Sequence, residues 1–309
     1  MKSLEIQLGR ILLRNPVLGA SGCTGYGYEL AAYTDLSRFG AVSLKTFTTE
    51  PRLGNCPQRV AEVASGVLNS IGLQNPGKDI YFAQVMPQVL AALDRNQVII
   101  SIGGNTLDDY VALCRETEDR FGGQVAALEI NAACPNVIHG AGWFSRDPEA
   151  AHNLVKSVRA VVSLPVIVKF NTNYENYLEV ASAIEAGGAD ALYTTNTPLG
   201  MKIDWRTRRP MIGNERGPIC GPAIRPIGVL RTWDLYQRIK LPIIASGGIC
   251  TWEDALEYVL AGASAVGIGS AQFANPDAAN AVLSGLEAYL SRHDELSWPE
   301  LIGAAHRAE

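Results

Sequence analysis

The sequence predicts a parallel (β/α)8 barrel, the TIM barrel. Short apolar runs of strand length recur eight times along the 309 residues and alternate with segments whose apolar residues have helical spacing. A doubly wound open sheet uses the same alternation. Three observations favour the closed barrel. They are the count of eight strand-like runs, a length near the ~250 residues typical of such barrels plus insertions, and the polar or glycine residues that follow nearly every run. We expect one domain over residues 1–309.

The predicted strands are rich in Val, Ile and Ala and end at polar or glycine residues. They cover residues 16–20, 41–46, 98–102, 126–131, 166–170, 191–195, 242–246 and 265–269. Helical spacing predicts helices over residues 80–93, 147–162, 177–186, 225–239, 251–260 and 276–290. Two connections, 46–77 and 197–223, are much longer than usual and leave strand C-terminal ends, so we expect lids or substrate loops at that face of the barrel.

Composition excludes several classes of partner. The net charge of -5 gives no general attraction for nucleic acid or for an anionic membrane, and no apolar stretch approaches the ~20 residues of a membrane span. A basic cluster around Arg206, Arg208 and Arg209 is expected to be a solvated loop, with an anionic ligand or partner as the alternative. Six scattered cysteines without CxxC pairs predict no metal site. Residues 1–5 lead straight into strand-like sequence, so we expect no targeting segment and a cytoplasmic protein.

One cysteine follows a predicted buried strand directly. Residues 131–136 read Asn-Ala-Ala-Cys-Pro-Asn, and a proline turn at this point places Cys134 at the barrel face where such enzymes keep their chemistry. A general base must be partly ionised near the working pH and correctly placed. Cys134 is therefore the candidate catalytic base.

Glycines and lysines at other strand ends predict an anionic cofactor. Gly247 and Gly248 follow the seventh strand, and Gly269 with Ser270 follows the eighth, where barrels commonly bind phosphate; tight turns are the alternative role of these glycines. Two further strands carry Lys45 and Lys169. A lysine in an apolar strand needs a partner or reaches solvent, and two of them opposite a phosphate site favour a flavin.

Asparagines complete the predicted pocket. An asparagine side chain offers both a donor and an acceptor, as recognition of a planar ring with C=O and N–H groups requires, although turns are its commoner place. The four candidates are Asn69, Asn131, Asn136 and Asn196.

With these residues in place, the chain resembles class 1 dihydroorotate dehydrogenases, which are FMN-dependent (β/α)8 barrels of pyrimidine biosynthesis. The resemblance runs along essentially the whole chain. It rests on Asn15-Pro16, Ala20-Ser21-Gly22, Lys45-Thr46, Asn69 to Gly77, Cys134 to Val137, Val168-Lys169, Gly221 to Ile224, Gly247-Gly248 and Ala261 to Val266.

The resemblance implies a reaction and a site. Cys134 would remove the C5 proton of dihydroorotate while hydride passes from C6 to flavin N5, giving orotate. The substrate site would comprise Lys45, Asn69, Ile71, Gly72, Leu73, Asn131, Asn136, Asn196 and Thr197. FMN would be held by Ala20, Ser21, Lys45, Thr46, Asn131, Lys169, Gly221, Gly247, Gly248, Gly269 and Ser270.

Within the family, residues 20–27 and 136–140 look most like the NAD-linked class 1B. That resemblance implies a partner subunit carrying FAD and a [2Fe–2S] cluster, and a homodimer of the catalytic chain. The fumarate-linked homodimers are a close alternative. The membrane-associating extension and serine base of the quinone-linked class are absent from this sequence.

The sequence departs from the family pattern around the pocket. Ala133 stands where Ser or Thr usually precedes the base, Ser101 where a flavin-contacting Asn is common, and Cys220 where Ser precedes Gly221. Residues 170–173 read Phe-Asn-Thr-Asn instead of Leu-Ser/Thr-Pro-Asn. Two alternatives therefore stay open, a paralogue acting on another dihydropyrimidine or unsaturated amide and a non-catalytic barrel that binds FMN or a partner.

Overall fold

The computed structural model describes residues 4–133, 143–195, 197–293 and 296–307. Eight parallel strands form a closed barrel in which each strand pairs with the next along the chain and the last pairs with the first. They are β1 Val17–Gly19, β2 Ala41–Ser43, β3 Val98–Ile102, β4 Ala127–Asn131, β5 Val166–Asn171, β6 Ala191–Thr195, β7 Ile243–Ser246 and β8 Ala265–Ile268. The predicted (β/α)8 barrel is confirmed, and the open sheet is excluded.

The register between neighbouring strands brings polar residues together inside the barrel. Ser101 of β3 lies opposite Glu129 of β4, and two residues further Asn131 of β4 lies opposite Lys169 of β5. All four side chains are buried. Because side chains of a strand alternate between its two faces, Glu129 and Asn131 point to the same side.

Helices surround the barrel, and each of the six predicted from apolar spacing is present. The helices are Lys78–Ile80, continued by a π-helical turn Tyr81–Val85 and by Met86–Ala92, then Leu107–Phe121, Pro148–Arg159, Tyr177–Ala186, Arg225–Arg238, Trp252–Leu260, Ala271–Ala274, Ala278–Arg292 and Trp298–Leu301. None of those in the described part of the chain combines the length and apolar content needed to cross a bilayer.

One long helix, Leu107–Phe121, is not among the predicted ones. It buries only a narrow stripe, of which Tyr110, Leu113 and Cys114 are the apolar members, and its other residues are mostly charged. Its start nevertheless carries a sequence signal, since Thr106 and Asp109 cap each other's backbone N–H groups. The capping pair marks this helix more clearly than its apolar spacing does.

The two long connections form a sheet with each other. Val60–Val63 and Gly66–Asn69 come from the first connection, and Leu199–Met201 and Arg216–Cys220 come from the second. These strands pair in an antiparallel sheet in which Arg216–Cys220 lies beside Gly66–Asn69. The connections expected to be lids or substrate loops are therefore held together by backbone hydrogen bonds.

Candidate active site

A pocket opens where the barrel strands end, and it gathers most of the predicted cofactor residues. Seven of the eleven line it, namely Ala20, Ser21, Lys169, Gly247, Gly248, Gly269 and Ser270. Thr197, predicted to contact substrate, lines the same pocket. The grouping agrees with the prediction that the strand C-terminal ends form the site.

Lys169 is buried at the wall of this pocket, with only 8% of the residue exposed. Its ammonium nitrogen donates a hydrogen bond to Ser21 Oγ at 3.0 Å and lies 4.5 Å from the centre of the Tyr193 ring. The Glu129 carboxylate is 4.0 Å away. The lysine therefore has the charged partner that its burial requires.

Glu129 was not predicted as a site residue, although it is the only acidic residue in β4. It has no exposed surface, and its two carboxylate oxygens accept hydrogen bonds from Ser43 Oγ at 2.5 Å and Ser101 Oγ at 2.7 Å. A carboxylic side chain in a strand of otherwise apolar and neutral residues was the available sequence signal. Burial of such a group is tolerated because every oxygen has a donor.

Asn131 connects this polar cluster to the segment that leads to Cys134. Its Nδ2 donates to Thr46 Oγ1 at 2.9 Å, and its Oδ1 accepts the backbone N–H of Ala133 at 3.2 Å. The carbonyl of Ala132 accepts from Ser145 Oγ at 2.9 Å. The backbone just before the candidate base is thus held by side chains on both sides.

Three of the predicted residues, Cys134, Asn136 and Asn196, lie outside the described residues. The roles assigned to them stay predictions. Lys45 and Thr46 lie just beyond the end of β2, after Leu44. Lys45 is half-buried, and its backbone N–H donates to Gly25 O at 2.8 Å. Thr46 is buried beneath Asn131 and does not itself line the pocket.

The glycine turns are built for close approach of a ligand. Gly247 has φ +124° and Gly248 has φ +72°, a region that L side chains rarely adopt. A Cβ on Gly248 would lie 2.7 Å from the carbonyl oxygen of Gly221, so these two predicted residues are in contact. A Cβ on Gly269 would meet nothing closer than Cys23 Sγ at 3.6 Å and would occupy space in the pocket.

The sheet made by the long connections reaches the same pocket through Cys220. Asn69, at the end of Gly66–Asn69, donates through Nδ2 to Pro218 O at 3.3 Å, and its side chain also interacts with the Cys220 thiol. Cys220 lines the pocket and interacts with Ser270. The half-buried predicted residues Ile71, Gly72 and Leu73 follow Asn69 after the buried Ser70.

Two thiols that line the pocket, those of Cys23 and Cys220, have raised pKa values. Burial raises the pKa of Cys23 to about 11. Burial also raises the pKa of Cys220, while Ser270 and Asn69 oppose that shift. Neither thiol was predicted to be catalytic, and a raised pKa is unfavourable for a base.

Within the described ranges, no group of three or more His, Cys, Asp or Glu side chains could hold a metal ion.

Comparisons with known proteins match this chain along nearly its full length. A family described as "Dihydroorotate dehydrogenase" matches residues 3–290. Proteins named "Dihydroorotate dehydrogenase B (NAD(+)), catalytic subunit" are similar to it. The one from Desulforamulus reducens is 43% identical over 98% of this chain and 99% of its own length. Those from Desulforudis audaxviator and Geotalea uraniireducens are 44% and 43% identical, over 98% and 97% of this chain and 97% of their own lengths.

These matches confirm the resemblance found in the residues, the FMN cofactor and the enzyme class predicted from it. Family, barrel and pocket agree: the chain belongs to the dihydroorotate dehydrogenase family of FMN-dependent oxidoreductases.

Proposed function

We propose that this protein oxidises dihydroorotate to orotate, as the names of its relatives indicate for them. The observation that carries the proposal is the pairing of Asn131 with Lys169 on adjacent strands. This pairing sets a donor–acceptor amide beside a buried cation, next to glycine turns suited to a phosphate. A planar, anionic pyrimidine and a flavin phosphate need these groups.

The pocket residues fit FMN. Gly247, Gly248 and Gly269 leave the backbone open at the ends of β7 and β8, and Ser270 adds a hydroxyl. The ammonium of Lys169 would face the flavin ring, where a cation stabilises the anion of its reduced form. Ala20, Ser21, Lys45, Thr46, Asn131 and Gly221 complete the proposed FMN site.

The substrate would lie between the ring-binding face of this pocket and the sheet of the long connections. Asn69, Asn131, Asn136 and Asn196 would bind its C=O and N–H groups, and Lys45 its carboxylate. Ile71, Gly72, Leu73 and Thr197 would enclose it. Ordered contacts of this kind discriminate strongly between substrates, because a missing partner leaves a buried polar group unpaired.

Cys134 would act as the base. It takes the proton from C5 of dihydroorotate as the C5–C6 bond becomes double and C6 loses hydride. When bound, FMN supplies the acceptor for that hydride at N5. The hydrogen bonds of Asn131 and Ser145 to the backbone of Ala132 and Ala133 hold the residues immediately before the base.

The test is anaerobic reduction of the bound flavin. We expect the purified protein to be yellow and to bleach when dihydroorotate is added. Bleaching by other dihydropyrimidines, but not by dihydroorotate, would identify a paralogue. A flavin that no member of such a panel reduces would indicate a non-catalytic barrel, and a chain that cannot be loaded with FMN would contradict the proposal.

We also propose a partner subunit. The relatives are named as catalytic subunits of an NAD(+)-linked enzyme. An FAD and [2Fe–2S] subunit would carry electrons from this chain to NAD, with the chain itself a homodimer and residues 1–309 one domain. NAD reduction only when both subunits are present, and a dimer mass in sedimentation, would support this. Rapid turnover with fumarate by the chain alone would contradict it.

A further inference from the structure

The carboxylate of Glu129 is fully buried, 4.0 Å from the Lys169 ammonium that lines the proposed site. Four consecutive barrel strands supply the cluster around it, with Ser43 on β2, Ser101 on β3, Glu129 on β4 and Lys169 on β5. Ser43 and Glu129 have no exposed surface, and neither does Ser101. Glu129, Ser101 and Ser43 take no direct part in the reaction proposed above.

A chain of hydrogen bonds runs from this carboxylate towards the pocket. Ser101 Oγ lies 2.7 Å from Glu129 Oε1 and 2.8 Å from Thr46 Oγ1. Thr46 Oγ1 lies 2.9 Å from Asn131 Nδ2. This hydrogen-bond chain therefore contains two hydroxyl groups, which lie between the Glu129 carboxylate and the Asn131 amide.

The carboxylate determines the direction of every bond in this chain. Both oxygens of the Glu129 carboxylate accept hydrogen bonds, one from Ser43 and one from Ser101, so the single hydroxyl proton of Ser101 is donated to Glu129. Ser101 Oγ must then accept the proton of Thr46, and Thr46 Oγ1 must accept from the amide. Only the nitrogen of Asn131 can donate, which turns its Nδ2 towards Thr46.

This orientation leaves Asn131 Oδ1 facing the other way, towards the backbone N–H of Ala133 at 3.2 Å. With the opposite orientation, an N–H of the side chain would face the N–H of Ala133 and the bond would be lost. One N–H and one lone pair of the amide remain available to a ligand. The same bond also holds the residue that precedes Cys134.

We propose that Glu129 and Ser101 are positioning residues, which fix the amide orientation of Asn131 and the backbone at Ala133 through Thr46. The inference rests on the proposed function for its effect on substrate, but the hydrogen-bond chain itself does not. The proposal also gives a role to Ser101, which stands where an Asn is common in the family. The Ser101 hydroxyl supplies both the donor and the acceptor that the hydrogen-bond chain needs.

The decisive variants interrupt the chain at one link. Ser101→Ala leaves Thr46 without an acceptor, so the hydroxyl can turn to Asn131 and the amide can flip. Ser101→Thr keeps a hydroxyl and restores the chain. Ser43→Ala is the matched control, because Ser43 is equally buried and bonds the same carboxylate, but through the oxygen that does not lead to Asn131.

The first measurement is hydrogen exchange of the Ala133 amide in the FMN-loaded protein, resolved to single residues. Loss of one hydrogen bond should accelerate exchange about three- to tenfold in Ser101→Ala. We expect wild-type rates in Ser43→Ala and Ser101→Thr. If Ser101→Ala does not fold, Thr46→Val interrupts the next link and should give the same acceleration.

The second measurement is binding of orotate, read from the absorbance of the bound flavin. We expect Ser101→Ala to weaken binding about three- to tenfold. In a double-mutant cycle with Asn131→Ala, Ser101→Ala should weaken orotate binding no further. Any effect of Ser43→Ala on orotate binding should instead add to that of Asn131→Ala. A merely structural defect would not distinguish the two serines in this way.

Equal effects of Ser101→Ala and Ser43→Ala on both measurements would overturn the proposal, as would unchanged exchange at Ala133 in Ser101→Ala. If the wild-type protein does not bind orotate, the proposed function fails instead. Amide exchange then still decides whether Glu129 and Ser101 position Asn131.

Discussion

Lys169 and Glu129 form the one ion pair that lies at the pocket among the described residues. Both are almost completely buried, and each has a further partner, Ser21 for the lysine and two serines for the carboxylate. Removing one charge of a buried pair leaves the other uncompensated, which costs more than removing both. We therefore expect the pair to contribute to stability and, in the proposed FMN site, to affect the flavin as well.

Lys169→Met should lower the free energy of unfolding by roughly 3–5 kcal/mol, because it leaves the buried Glu129 carboxylate without its cation. Urea unfolding of the apoprotein measures this. Adding Glu129→Gln should recover much of the loss. In the FMN-loaded protein, Lys169→Met should also make the midpoint potential of the flavin more negative. A double variant no more stable than Lys169→Met would show that the pair is not coupled.

Cys134→Ala should retain FMN and lose flavin reduction by dihydroorotate about 10²- to 10⁴-fold, since that is the usual contribution of a general base. Stopped-flow absorbance under anaerobic conditions measures the rate. The exposed Cys56 provides the control, and Cys56→Ala should reduce at the wild-type rate. Unchanged reduction in Cys134→Ala would mean that this thiol is structural.

At the level of elements, the sheet built from the two long connections determines where Asn69 lies. Its two inner strands, Gly66–Asn69 and Arg216–Cys220, approach closely because glycines stand at their contacts. A Cβ on Gly217 would lie 1.9 Å from the carbonyl oxygen of Asn69. No side chain fits there without separating the strands.

Gly217→Ala should therefore displace Asn69 and weaken orotate binding about tenfold or more. FMN should be retained, because its proposed site is at the barrel strand ends. Titration of the flavin absorbance with orotate measures the binding. Gly123→Ala is the matched control, because nothing lies within 4 Å of a Cβ at that position. Equal affinity in both variants would separate this sheet from the substrate site.

At the level of the whole molecule, buried thiol and phenol groups make the free energy of unfolding vary with pH in the alkaline range. Burial raises the pKa of Cys23 from 9.0 to about 11 and that of Tyr26 from 10.0 to about 12. Between the unfolded and folded values, the folded chain binds more protons than the unfolded one. Its stability must then fall as pH rises.

We expect the free energy of unfolding of the apoprotein to decrease from pH 9 to pH 11. The decrease should be about 1.4 kcal/mol per pH unit for each group that is ionised in the unfolded chain and protonated in the folded one. Urea unfolding at a series of pH values measures the slope. Cys23→Ser should flatten it in this window, because serine does not titrate there. A slope identical to that of the wild type would show that Cys23 is ionised without unfolding.

Much of the fold was predictable because its signals are local. Strand runs such as 98–102 and 191–195 coincide with β3 and β6, and the helix over 177–186 coincides with its prediction. Local sequence likewise made two other features predictable, namely the glycines after β7 and β8 and the lysine of β5. These features depend on residue spacing, which a sequence displays directly.

What only the tertiary structure decided is which distant residues meet. Glu129 pairs with Lys169 because strand register sets their side chains on the same inner face, and Ser43 and Ser101 reach the carboxylate from two other strands. The long connections, expected to be lids or substrate loops, pair with each other in a sheet. The sequence by itself determined most of the elements and the residue types at their ends, whereas barrel closure and register decided the contacts, because those join residues remote along the chain.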